Sequence, residues 1–178
     1  MSSHSAPNLI LQIRTRIPPG LPPRDILAGR LVEAVHAMIE KLPIRLPDRD
    51  IELGMTLTDD NGIRIVNRAH RQIDAPTDVL SFPLVGESRH GAGESEEELK
   101  DDYPDGPPVA LGDIVISLET VERQAAERRL PLHERFAECL VHAMLHIAGR
   151  EHSTEPGREE MENMEDELVP EVARLLIA

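Results

Sequence analysis

Eleven residues, His142-Ala143-Met144-Leu145-His146-Ile147-Ala148-Gly149-Arg150-Glu151-His152, hold three of the chain's eight histidines. At about 100° per residue on a helix, His142 and His146 lie about 40° apart, one turn above the other. Two imidazoles so placed can bind one metal ion from a single face. Gly149 adopts without steric cost the left-handed conformation that ends a helix, and the turn can swing His152 to the same point. Three nitrogen ligands and an open fourth position make the ligand count of catalytic zinc, whose bound water loses a proton near neutral pH.

One position narrows the chemistry. Zinc peptidases of the same histidine spacing need a glutamate directly after the first histidine, as general base. Ala143 stands there and accepts no proton, so the spacing points to a metal but away from an ordinary peptidase. Glu151, beside the third histidine, is a poor positional substitute. Cys139 lies about 60° from His142 and about 20° from His146, on the same helical face. A helix places it a turn away from the ion's open side, so a neighbour is expected there and not a ligand.

The elements that must position this stretch fit one domain, 1–178, long enough to bury a sizeable core. No run of eighteen apolar residues occurs, and Met1 to Pro7 lacks the basic-then-apolar pattern of a secretory signal. A single cysteine fits a reducing compartment, and a cytoplasmic protein is expected. The formal charge of −14 argues against indiscriminate nucleic-acid binding. Yet residues 1–72 carry ten Lys and Arg against eight Asp and Glu, whereas residues 73–178 carry nine against twenty-five. A polyanion would therefore favour the first half, near Arg64, Arg68 and Arg71. Phe82, Tyr103 and Phe136 are the whole aromatic complement, which argues strongly against a base-stacking platform for single strands.

Hydrophobic periodicity predicts strands over 8–16, 51–58, 79–84 and 109–117. It predicts helices over 25–42, capped by Asp25, over 63–72, over 121–129, capped by Ser117, and over 133–148. A last helix over 159–178 should break or restart at Pro170. Leu27, Leu31, Val35, Met38 and Leu42 form one buried stripe, and Met161, Met164, Leu168 and Leu175 another. Arg64, Arg68 and His36 read as solvated surface residues. Residues 86–108 are acidic, nearly free of apolar residues and punctuated by Gly and Pro, so a mobile loop is expected there, with His90 idle.

Three segments now stand together: Arg71-Gln72-Ile73-Asp74-Ala75-Pro76-Thr77-Asp78-Val79-Leu80-Ser81-Phe82-Pro83, Leu111-Gly112-Asp113-Ile114-Val115-Ile116-Ser117, and the histidine stretch. In order and spacing, from about Leu53 to Leu168, they closely resemble the YbeY family of bacterial rRNA maturation endoribonucleases. The resemblance implies an α+β fold in which helices surround a small, mixed, mostly parallel four-stranded sheet. It also implies a metal site on His142, His146 and His152, with Arg71 facing it. The chain departs from the family pattern at Ala143 (usually Gly), at Arg150-Glu151 (usually Tyr-Asp), at His70 (commonly Tyr) and in its longer acidic loop.

The function so implied is a zinc-dependent, single-strand-specific endoribonuclease acting in 16S rRNA maturation and ribosome quality control. Its partners would be ribosomal RNA, the small ribosomal subunit and associated assembly proteins. His142 and Arg71 are the candidate catalytic residues, and Arg71, whose planar fork suits a phosphate, also binds substrate. One Zn2+ per chain is the expected cofactor. Glu151, Asp78 and Asp113 are each open as general base, with Asp78 and Asp113 equally readable as residues that fix turns or orient ligands. The competing reading is a non-catalytic ribosome-assembly factor with a structural metal, favoured by the net charge and scarce aromatics. An amide hydrolase is weakened by Ala143.

Overall fold

The computed structural model describes residues 8–42, 50–84 and 107–178. The acidic stretch 86–108 lies outside them except for Pro107 and Pro108, as does His90. The order of elements is β1 (Asn8–Ile13), α1 (Arg24–Lys41), β2 (Ile51–Thr58), α2 (Asp60–Arg71), β3 (Val79–Pro83), β4 (Val109–Ser117), α3 (Leu118–Arg128), α4 (Leu132–Ile147) and α5 (Glu155–Ile177).

The strands form one sheet in the order β1-β2-β4-β3, with β1, β2 and β4 parallel and β3 antiparallel on one edge. This is the expected α+β architecture. Strand alternation sends Ile51, Leu53, Met55 and Leu57 of β2, and Ile114 and Ile116 of β4, into the main core with α1, α3, α4 and α5. Val115 and Leu80 point to the opposite face, where Ile63 of α2 covers them. The same parity directs Val79 and Ser81 of β3 toward α4. Gly112 makes that junction possible: a Cβ there would lie 2.3 Å from the carbonyl oxygen of Phe82 and 2.7 Å from Ile147 at the end of α4.

Several boundaries differ from expectation. Strand β1 ends at Ile13. Asp25 sits inside the first turn of α1, whose N-cap is Pro23. Helix α2 begins three residues earlier than predicted because Asp59 caps it, accepting the backbone N–H of Gly62 at 2.7 Å. Ser117 does cap α3, accepting from Thr120 N at 3.3 Å. Helix α5 starts at Glu155 under a Thr154 cap and runs unbroken through Pro170. The proline removes one hydrogen bond on an exposed side, while buried Leu168, Val172, Ala173 and Leu176 hold both halves to the core.

Candidate metal centre

Helix α4 is apolar on the side that meets the sheet and chemically loaded on another. Arg135, Cys139, His142 and His146 follow each other at intervals of three and four residues, with Glu138 beside Cys139, and all five line one cleft of about 660 Å³. The opposite wall is β3 and the segment before it, with Arg71, Thr77, Asp78, Val79 and Ser81. His152 and the α5 residues Glu165, Asp166, Val169 and Pro170 complete it.

The histidines converge as their spacing implies. Helix α4 ends in a Schellman turn: Arg150 N donates to Leu145 O and Gly149 N to His146 O, both at 2.9 Å, with Gly149 at φ +77°. The turn brings His152 back, and one ligand atom from each of His142, His146 and His152 lies within 4.8 Å of the others. Nδ1 of His146 is 2.9 Å from the carbonyl oxygen of Arg150, and Nδ1 of His142 is 2.8 Å from Oε1 of Glu165. A carbonyl only accepts, so His146 donates through Nδ1 and turns Nε2 inward, and the carboxylate beside Nδ1 of His142 suits the same orientation there.

Those two Nε2 atoms face each other at 3.1 Å. Two nitrogens about 2.0–2.1 Å from one tetrahedral ion are separated by roughly 3.3 Å, so the pair has the spacing that zinc requires. Burial, together with neighbouring His142 and His152, lowers the pKa of His146 against the pull of the Arg150 carbonyl. The imidazole is therefore held neutral, the form in which it ligates. The three histidines could hold a metal ion, and their all-nitrogen donor set suits zinc. Cys139 is 1% exposed, and burial pushes its thiol up to about 12, so it remains a protonated wall residue outside the histidine cluster.

Arg71 is the last residue of α2, and Gln72 follows in the left-handed region at φ 60°. The returning segment is pinned at three points. Arg64 forks onto Asp74 at 2.8 and 2.9 Å, Asn67 Nδ2 donates to Ala75 O at 2.8 Å, and Arg135 Nη2 donates to Asp78 Oδ2 at 2.6 Å. Arg64 is thus an ion-paired residue and not merely a solvated one. Arg71 itself makes no hydrogen bond or ion pair among the described residues, although it lines the cleft. The other lining arginines are engaged: Arg128 pairs with Glu138, and Arg135 pairs with Asp78 and Glu138.

The general-base candidates separate. Asp78 lines the cleft, but it also accepts the N–H of Val79 at 2.8 Å, so it fixes the turn and holds Arg135. Asp113 lies over Gly54, against which a Cβ would stand 2.0 Å from its Oδ1, and it is absent from the cleft lining. Glu151 is exposed and also outside the lining. His70 packs on Phe82 with ring centroids 4.9 Å apart. Arg135 and Glu165 were missed from sequence. The signal for Arg135 was its place on the Cys139-His142-His146 face. For Glu165 it was a carboxylate within the Met161-Leu168-Val172 stripe.

Comparison with known proteins identifies the family. Residues 25–173 match the family described as Endoribonuclease YbeY. The chain is 37% identical over 148 residues to the endoribonuclease YbeY of Nitrobacter winogradskyi, covering 83% of this chain and 70% of that one. It is 37% identical over 153 residues to that of Heliobacterium modesticaldum, covering 80% and 86%. A Thermotoga maritima protein solved in solution shares the fold, with a TM-score of 0.57, 22% identity, and coverage of 92% of this chain and 88% of that one. Among the described residues no helix is long and apolar enough to cross a membrane. The histidine-centred cleft on this α+β frame, and the match along nearly its whole length, make the chain a member of the YbeY endoribonuclease family.

Proposed function

We propose that this chain is a zinc-dependent, single-strand-specific endoribonuclease acting in 16S rRNA maturation and ribosome quality control. Ribosomal RNA and the small subunit with its assembly proteins are its partners. The observation that carries the reading is one cleft in which three converging imidazoles lie with Arg71, which makes no hydrogen bond or ion pair among the described residues. When bound by His142, His146 and His152, a zinc ion supplies a Lewis acid for a phosphoryl oxygen and lowers the pKa of a water.

The chain's own groups do the rest. The Arg71 guanidinium offers two parallel N–H donors to a phosphate and offsets charge developing on its oxygens. Glu165 and the Arg150 carbonyl keep both Nε2 lone pairs directed inward. Val79, Ser81 and the α5 wall confine the substrate on either side of α4. A cleft with two of its three arginines already paired to carboxylates favours one accessible strand delivered by a partner over free capture of duplex.

That same pairing also favours the assembly-factor reading, with a structural metal and no cleavage. Incubating metal-loaded and chelated protein with a defined single-stranded RNA, and with its duplex, separates the two. Cleavage of the single strand by the loaded protein alone supports the nuclease; intact RNA in every arm, with metal tightly retained, supports the assembly factor.

A further inference from the structure

Glu165 stands apart from the eleven-residue histidine stretch, on a different helix, and no motif in that stretch implies it. Its Oε1 lies 2.8 Å from Nδ1 of His142, across the α4–α5 interface. Its side chain is 30% exposed and that of His142 is 37% exposed, so water competes incompletely for the bond. Glu165 lines the main cleft and also a smaller cavity of about 290 Å³ on α5, and both openings share His142 and His152. The carboxylate therefore lines both cavities, beside His142.

We propose that Glu165 is a positioning residue of the metal centre: it fixes His142 in the Nδ1–H tautomer and aims its Nε2 at the ion. The inference rests on the three histidines being the metal site, but it assigns the orienting group to α5. An imidazole free to rotate about χ2, or to carry its proton on Nε2, presents no lone pair at the ion position. The carboxylate removes both options, because it accepts from Nδ1 and so holds the ring plane and the proton there. His146 receives its counterpart from a backbone carbonyl, which supplies direction without full charge. The two ligands are thus oriented by different means, and one of them can be altered by mutation. A second consequence follows from the fold. Helix α5 packs on α4 and adds Met161, Leu168 and Val172 to the shared core, so the centre is complete only when that packing is formed.

The test uses the full chain with Glu165→Ala and the near-isosteric Glu165→Gln, with Glu162→Ala as control. Glu162 lines the smaller cavity without a hydrogen bond or ion pair to a histidine among the described residues. Zinc dissociation constants are measured by competition with a chromogenic chelator, and the ring tautomer of His142 in metal-free protein by nitrogen-15 NMR. The expected results are zinc binding weakened about 10–100-fold in Glu165→Ala, less in Glu165→Gln, and unchanged in Glu162→Ala. His142 should be the Nδ1–H tautomer in the parent and in Glu165→Gln, whose amide oxygen still accepts, and a mixture in Glu165→Ala. Parental zinc affinity in Glu165→Ala, or an unchanged tautomer in that variant, overturns the proposal. If His146→Ala binds zinc as the parent does, the metal-site reading fails instead, and the metal-free tautomer still decides whether Glu165 orients the ring.

Discussion

Nη2 of Arg135 lies 2.6 Å from Oδ2 of Asp78, and this one contact ties α4 to the segment that follows Arg71. The Arg135 side chain is 13% exposed and also donates to Gln124 and Glu138. Removing one member of a largely buried, hydrogen-bonded pair strands the other. Arg135→Ala should lower the stability of the metal-free protein by about 3 kcal/mol in urea denaturation. Arg135→Lys should recover part of it, since it restores charge but not the fork. A change below about 1 kcal/mol in the alanine variant would show the pair to be incidental.

Cys139 predicts an inert thiol. It lines the cleft wall but is only 1% exposed, and burial pushes its pKa up to about 12. The folded protein at pH 8 should resist alkylation until denatured, and Cys139→Ser should keep its metal. Loss of metal in that variant would mean that sulfur closes the ion's fourth position.

Much of this was legible in the sequence because the relevant signals are local. The three histidines sit within one helix and the turn after it, so periodicity and Gly149 sufficed to bring them together. The sheet was legible because Ile51, Leu53, Met55 and Leu57 alternate strictly. Glu165 and Arg135 were not, since their partners, His142 and Asp78, come from other elements and only tertiary packing unites them. Pro170 misled for a related reason: local propensity predicts a break that burial of Leu168 and Val172 overrides.

Asp60 should make the fold acid-sensitive. Burial alone would raise its pKa, but hydrogen bonds from Ser117 and Thr120 at 2.6 and 2.5 Å, with Arg123 at 3.1 Å, outweigh it and lower the pKa from the ordinary 3.8. A folded pKa below the unfolded one gives stability that is present above about pH 4 and lost as pH falls through the folded value. Asp60→Asn should therefore cost about 1–2 kcal/mol at pH 7, with the gap from the parent closing at acid pH once the folded carboxylate is protonated. An equal gap at both pH values would contradict the charge-based account.

Arg71 should matter to RNA and little to folding. Arg71→Ala is expected to melt within about 2 °C of the parent, because it removes no hydrogen bond or ion pair to a described residue. Its cleavage of single-stranded RNA should fall by about 100-fold or more, the scale of losing one transition-state donor. Arg71→Lys should recover only part of the rate. Parental cleavage in both variants would remove Arg71 from the substrate site.

The central claim, that a metal on His142, His146 and His152 makes this chain a nuclease, is tested most directly by titration. Metal-free protein is loaded stepwise with zinc, and bound metal and single-strand RNA cleavage are measured on the same samples. The account predicts cleavage rising in proportion to zinc up to one ion per chain and flat beyond it, with His146→Ala giving neither binding nor cleavage. Full cleavage by the metal-free chain, or by His146→Ala, would contradict it.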